Sequence, residues 1–267
     1  MNHLFDAWPD VECRIKEAYS VFLFLDYDGT LTPIVERPDL AVLEDKTRDI
    51  LRAISKVPGY RLCIISGRPL EDVKKLVGLD GICFVGNHGM EAECPDLKYV
   101  NPEALKCRDA IKEIHEKLLF ETKEFKGVFV ENKEISEALH YRMADEKDIP
   151  EIRKIFSRVV GPYLSSGKIR TAKNKKTLEV LPDINWNKGK MVLKLLEERA
   201  GGDALAIYVG DDRTDEDAFQ AVGKNGISVL VSERPKKSHA GYYLKDVNEV
   251  VRFLGLLKGL KTKNANQ

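Results

Sequence analysis

Cysteine is scarce and unpatterned in this chain of 267 residues. Its five cysteines, Cys13, Cys63, Cys83, Cys94 and Cys107, form no Cys-x-x-Cys pair and no zinc spacing. Cys63 and Cys83 fall inside apolar runs, where cysteine serves as a small core residue, so no functional thiol is expected. Net charge is also missing, because 43 Lys and Arg balance 43 Asp and Glu. Balance excludes a global field that would draw the chain to nucleic acid or an anionic membrane, though a local basic pocket stays open. No apolar run approaches the ~18 residues of a membrane span. The first 20 residues carry Asp6, Asp10, Glu12 and Glu17 and lack the apolar stretch of a secretory leader. The expected compartment is therefore cytoplasmic, with neither nucleic acid nor membrane as a partner. No internal repeat is visible.

Enough apolar residues are present for a sizeable core: 43% are hydrophobic and 32% charged. The length suits about two domains of roughly 150 residues. Apolar spacing predicts a helix over 4–19 and a strand ending at Leu25. A helix over 45–57, a strand ending at Ile65, a helix over 69–77 and a strand over 82–85 follow. This alternation signals βαβ units. The grammar then changes. A helix over 103–124, strands over 127–131 and 139–143, a helix over 148–160 and strands over 168–172 and 177–181 predict an antiparallel sheet with two helices. Gly161-Pro162 is read as the stop of the second of these helices. After Pro182 the βα pattern resumes, with helices over 188–200, 214–222 and 246–257 and strands over 204–209 and 227–231. The expected organisation is a core over 1–100 and 184–260, an inserted αββαββ segment over 101–183 and a disordered tail over 261–267.

Three apolar runs end in residues fit for phosphate chemistry. Val21-Phe22-Leu23-Phe24-Leu25 leads into Asp26-Tyr27-Asp28-Gly29-Thr30. Leu62-Cys63-Ile64-Ile65 leads into Ser66-Gly67-Arg68. Ala204-Leu205-Ala206-Ile207-Tyr208-Val209 leads into Gly210-Asp211-Asp212, with Asp215 behind. Nearly unbroken apolar runs read as buried parallel strands, and open parallel sheets bind ligands beyond the carboxyl ends of their strands. Residues far apart in sequence are thereby gathered at one edge. Two carboxylates about 4 Å apart repel by roughly 4 kcal/mol at an effective dielectric near 20. A hard cation with oxygen ligands resolves this, and Mg²⁺ beside phosphate is the usual case. Ser66 offers a hydroxyl and Gly67 an amide at a helix start. Lys188 opens a helix, where the dipole disfavours a cation, so it is expected to serve an anion. Read singly, each feature has a plain alternative: a polar turn for Asp26-x-Asp28-Gly29, solvated surface for Lys188, loop packing for His88. Glu131 and Lys133 read singly as an exposed turn, Arg142 as the polar face of a strand, and His140 as a satisfied strand residue.

Asp26-Tyr27-Asp28-Gly29-Thr30, Ser66, Lys188 and Gly210-Asp211-Asp212-x-x-Asp215 resemble the four ordered motifs of the haloacid dehalogenase superfamily. The resemblance implies a Rossmann-like α/β core with an inserted α+β cap. It implies that Asp26 is the nucleophile forming an aspartyl-phosphate, and that Asp28 protonates the leaving group and then activates water. Asp26, Asp211 and the Asp28 main-chain carbonyl would hold Mg²⁺, with Asp215 supporting the metal's shell. Ser66 and Lys188 complete the implied catalytic set.

A narrower resemblance, to the trehalose-6-phosphate phosphatases, is carried by Asp-Tyr-Asp-Gly-Thr-Leu-Thr-Pro-Ile, Ile65-Ser66-Gly67-Arg68, Gly86-Asn87-His88-Gly89-Met90-Glu91 and the run from Gly210 to Asp217. Val130-Glu131-Asn132-Lys133, His140-Tyr141-Arg142 and Leu178-Glu179-Val180-Leu181-Pro182 carry it through the insert. Asn132 stands where that family commonly has Asp. The implied substrate is trehalose 6-phosphate. The implied substrate residues are Gly67, Arg68, Asn87 and His88 in the core and Glu131, Lys133, Arg142 and Glu179 in the cap. A separate trehalose-phosphate synthase is the implied partner. The rivals are a phosphatase of another sugar or polyol phosphate and a phospho-accepting domain without turnover.

Overall fold

The computed structural model describes residues 1–37, 40–174, 176–199, 204–260 and Thr262. In chain order the elements begin β1 (Asn2–His3), α1 (Trp8–Glu17), β2 (Ser20–Asp26), α2 (Asp45–Ile54), β3 (Tyr60–Ile65), α3 (Leu70–Val77) and β4 (Cys83–Gly86). They continue with β5 (Glu91–Cys94), β6 (Leu97–Val100), α4 (Pro102–Leu105), α5 (Arg108–Thr122), β7 (Phe129–Asn132), β8 (Glu137–His140) and α6 (Ile149–Leu164). The remainder are β9 (Ile169–Asn174), β10 (Thr177–Pro182), α7 (Lys188–Arg199), β11 (Ala204–Gly210), α8 (Glu216–Val222), β12 (Ile227–Val231), β13 (Tyr242–Leu244) and α9 (Val247–Leu257). Two compact units result, one from Met1–Tyr99 with Trp186–Gln267 and one from Val100–Asn185. Among the described residues, no helix is long and apolar enough to cross a membrane.

The first unit is the α/β core. Its sheet runs β1-β13-β12-β11-β2-β3-β4-β5-β6, parallel from β1 to β4 and antiparallel from β4 to β5. Every residue of β2 is buried. Val21, Leu23 and Leu25 pack on one face with Ile207, Val209 and Phe253, whereas Phe22 and Phe24 pack on the other with Tyr208 and Phe219. Each large side chain buried this way contributes about 1.5–3 kcal/mol. Double-sided burial explains why the strand reads as an unbroken apolar run.

The inserted unit has an antiparallel sheet of order β7-β8-β10-β9. Val130, Leu139, Leu178 and Val180 turn to one face, onto Ile111, Ile114 and Leu118 of α5 and Ile152, Phe156 and Val160 of α6. The opposite face carries Glu131, Ala138 and Glu179 in one cross-strand row and Phe129, His140 and Thr177 in the next.

Several expectations are corrected. Gly161-Pro162 does not stop α6, which runs on to Leu164 with Pro162 inside it. Both residues lie on the exposed side while the apolar side stays packed, so burial outweighs the lost backbone bond. The single helix over 103–124 is two, with Asn101 capping the first through Glu103 N and Ala104 N. The strand over 139–143 sits earlier, at β8. The short strands β1, β5, β6 and β13 were not expected; each is four residues or fewer. Cys83 is not a free core thiol, because β4 and β5 set it beside Cys94 and the two form a disulfide. Cys63 and Cys107 remain buried free thiols and Cys13 an exposed one. Ala200 of the expected helix over 188–200, and the tail over 261–267 apart from Thr262, lie outside the described residues.

Candidate active site

The carboxyl ends of β2 and β11 lie side by side, and they place Asp26 and Asp211 at one edge of the sheet. Asp26 is 5% exposed. Gly29 turns the chain just beyond it, with φ of +83°, a value costly for any residue with a Cβ. A Cβ there would also lie 2.2 Å from Asp211 Oδ2, so the turn and the second carboxylate fit only around glycine.

Lys188 opens α7 yet is 3% exposed. Its ammonium donates at 2.7 Å to Asp26 Oδ1 and at 2.7 Å to Asp215 Oδ1. Burial works against that ammonium, but the carboxylates of Asp215 and Asp26 outweigh it and raise its pKa. The helix-dipole cost noted for Lys188 is thus met by two buried anions rather than by water.

Asp215 is a hub. Its Oδ1 accepts from Lys188 and from the Tyr208 hydroxyl at 2.7 Å, and its Oδ2 accepts the amides of Asp211 and Asp212, each at 3.0 Å. Gly210 provides the space, since a Cβ there would lie 2.4 Å from the Asp215 carboxyl carbon. Ligand-capable oxygens of Asp26, Asp211 and Asp215 fall within 4.8 Å of one another. Burial, reinforced by Asp215 and Asp212, pushes Asp211 up to about 7. Burial raises Asp26 well above the ordinary carboxylate range, with Lys188 opposing the shift and Asp215 and Asp211 adding to it. An all-oxygen set whose carboxylates resist ionisation suits a hard cation such as Mg²⁺. With both Asp215 oxygens occupied by donors, Asp26 and Asp211 are the side chains placed to face one.

Asp28, the second carboxylate of the first motif, is held by Arg68. Arg68 Nε donates to Oδ2 at 2.7 Å and Nη2 to Oδ1 at 2.6 Å, a two-pronged fork. The guanidinium also lies over the Tyr27 ring, 5.5 Å from its centroid. Ser66 is 1% exposed, and its hydroxyl accepts the Arg68 amide at 3.1 Å. The Ser66–Arg68 loop interlocks with the turn at 87–89. Asn87 N donates to Arg68 O at 2.8 Å, and His88 N to Ser66 O at 3.0 Å. Asn87 and His88 both have positive φ, 47° and 56°. The His88 ring packs over Gly67, where a Cβ would lie 2.4 Å from it. Asn87 Nδ2 donates to Glu91 at 2.7 Å, and Trp186 Nε1 to Gly89 O at 2.7 Å. The core therefore gathers Asp26, Asp28, Ser66, Gly67, Arg68, Asn87, His88, Lys188, Asp211 and Asp215 around neighbouring strand ends.

In the inserted unit, Lys133 Nζ lies 3.5 Å from Glu179 Oε1 and 3.9 Å from Glu131 Oε2. Lys133 is buried and Glu131 half-buried at the end of β7, so the two are not an exposed turn, and Glu179 is buried beside them. Arg142, two residues past β8, is exposed. His140 is the satisfied strand residue expected, meeting Glu131 at 2.8 Å and Thr177 Oγ1 at 3.3 Å with its two ring nitrogens. Sequence reasoning missed two residues, Glu137 and Tyr208. Glu137 is fully buried against His115, 3.1 Å away, and burial, aided by Glu131, pushes it up to about 9. Cross-strand register would have exposed Glu137, and the sheet face it shares with Asp26 would have exposed Tyr208.

A family model for trehalose-phosphatase matches residues 24–248. Probable trehalose-phosphate phosphatase 4 of Oryza sativa subsp. japonica is 37% identical over 257 residues, covering 92% of this chain and 68% of the relative. Trehalose-phosphate phosphatase B of Arabidopsis thaliana is 33% identical over 261 residues, again 92% and 68%. The solved C-terminal domain of a C. albicans trehalose-6-phosphate phosphatase matches with a TM-score of 0.78 at 26% identity, over 94% of this chain and 96% of that one. The matched span takes in the buried Asp26–Lys188–Asp215 cluster and the inserted sheet alike, and the chain belongs to the trehalose-phosphatase family.

Proposed function

We propose that this chain hydrolyses trehalose 6-phosphate to trehalose and phosphate. The observation that carries the reading is the buried ammonium of Lys188 shared between Asp26 and Asp215, with Asp211 alongside. A strand-end carboxylate beside a cation is an activated nucleophile for phosphorus. Asp26 attacks the phosphorus, and the bond from phosphorus to the sugar oxygen breaks. Asp28 delivers a proton to that oxygen, and trehalose departs. Asp28, now a carboxylate, takes a proton from water, and the hydroxide displaces Asp26 as phosphate is released. Lys188 and the Ser66 hydroxyl stabilise charge on the transferring phosphoryl group. Asp26, Asp211 and the Asp28 main-chain carbonyl would hold Mg²⁺, with Asp215 fixing their surroundings. The ion would supply the positive charge that lets an anionic nucleophile approach an anionic ester.

The sugar would be read by Glu131, Lys133, Arg142 and Glu179, and the phosphate side by Gly67, Arg68, Asn87 and His88. Carboxylates and an amine suit paired sugar hydroxyls, and the packing of Glu131, Lys133 and Glu179 into one cluster supports this reading. A separate trehalose-phosphate synthase would supply the substrate. The test is phosphate release from a panel of sugar phosphates with and without Mg²⁺. Release from trehalose 6-phosphate should exceed release from glucose 6-phosphate and should need the ion. Equal rates across the panel would remove the substrate assignment.

A further inference from the structure

We infer that Tyr208 is a positioning residue of the phosphoryl-transfer site, its hydroxyl holding Lys188 on the nucleophile by way of Asp215. This rests on the reading of Asp26 as that nucleophile. Side chains alternate across a strand, so Phe22, Phe24 and Asp26 share one face of β2, and Ala206, Tyr208 and Gly210 share the same face of β11. Phe24 and Tyr208 are register partners with stacked rings, centroids 6.4 Å apart, and Phe219 meets Tyr208 edge-on at 5.6 Å. The ring is wholly buried in this apolar packing. Its hydroxyl emerges from the packing at the notch left by Gly210 and ends on Asp215 Oδ1. Burial, with Asp215 next to it, raises the Tyr208 pKa well above its ordinary value, so the group stays a donor.

Lys188 donates to the same Asp215 oxygen and to Asp26 at equal distance, 2.7 Å. An ammonium carries three protons on a flexible stem. Two of them are committed here, one to each carboxylate. The Asp215 oxygen is satisfied by two donors, and its partner oxygen by two backbone amides that cannot move far. Without the hydroxyl, Oδ1 keeps only the ammonium, in a buried place where a missing partner is costly. Lys188 is the mobile group that would answer, and each step toward Asp215 takes it from Asp26. A packing role alone would be met equally by phenylalanine, because the ring contacts need no oxygen. The hydroxyl is therefore the discriminating atom.

The experiment compares Tyr208→Phe, Asp215→Asn and the double variant in full-length protein with Mg²⁺ and trehalose 6-phosphate. Phe253→Leu, on the other face of the sheet, serves as a stability control. Tyr208→Phe should lower kcat by about ten-fold, the scale for outer-shell partners, with KM within about two-fold. In the Asp215→Asn background the same change should cost less than about two-fold, because a residue acting through Asp215 has nothing left to act on. Phe253→Leu should lower Tm while leaving kcat within about two-fold. Three results would overturn the inference: an unchanged kcat in Tyr208→Phe, an equal cost in both backgrounds, or melting of Tyr208→Phe below the assay temperature, which would assign the hydroxyl to the fold. Wild-type kcat in Asp215→Asn, or no release by the wild-type protein, would instead remove the reading beneath it.

Discussion

Asp28 has one partner in the structure and another in the proposed chemistry. Its carboxylate is gripped by both prongs of Arg68, yet the proposed chemistry needs it at the leaving oxygen and then at water. Asp28→Asn should cut kcat for trehalose 6-phosphate by about 10²–10⁴-fold, the usual scale for general acid–base catalysis. An aryl phosphate, whose leaving group needs no proton, should lose far less in the first step, and burst kinetics on the two substrates would reveal the split. Gly210→Ala is a second case. Its Cβ would fall on the Asp215 carboxyl, so activity should drop more than ten-fold on the scale of outer-shell losses, and raised Mg²⁺ should recover it only in part. A titration of activity against Mg²⁺ checks this. Asp26, Ser66 and Asp211 were legible as candidates because each ends or follows an apolar run, and Lys188 because a cation at a helix start runs against the dipole. The partners of Asp28 and Asp215 were not, since Arg68 and Tyr208 reach them through register and side-chain direction, which spacing along one strand does not encode.

Elements with both faces buried, such as β2, β3, β11 and β12, were read closely because burial writes a continuous apolar run. The pair β5 and β6 was not. Its strands are four residues each; β5 alternates part-exposed with buried positions and β6 part-exposed with exposed ones, patterns as short as a turn. Proline misled at α6 for a related reason: a local rule met a helix anchored by six buried side chains. In β8, Glu137 gives a pH prediction. Its folded pKa, about 9, lies above the ordinary 4.5, so the folded state holds a proton that the unfolded chain releases. Stability from this group is present at low pH and is lost as pH rises from about 4.5 through about 9. His115, Glu131 and Lys133 are the ionisable groups that face it. Glu137→Gln cannot ionise. Its Tm should fall less than that of the wild type between pH 5 and pH 9, and it should be the more stable protein at the alkaline end. Parallel Tm curves would mean that the buried charge is tolerated.

For the molecule as a whole, the cation is the most direct handle. Chelation with EDTA should silence phosphate release, Mg²⁺ should restore it, and Ca²⁺ should substitute poorly, because it prefers looser and higher coordination. Full activity after exhaustive chelation would reject the metal assignment. The division into two units has a consequence for synthesis. The inserted unit is one continuous stretch, whereas the core is assembled from both sides of it. Asp26 waits on a strand made early, and its partner Lys188 lies 162 positions downstream, with Asp211 and Asp215 later still. Until those residues emerge, Asp26 has neither its counter-charge nor its neighbouring carboxylates. On the proposed chemistry, a nascent or truncated chain that stops before α7 should release no phosphate however well its parts fold, because the order of the gene withholds Lys188, Asp211 and Asp215 from Asp26 until translation has passed them.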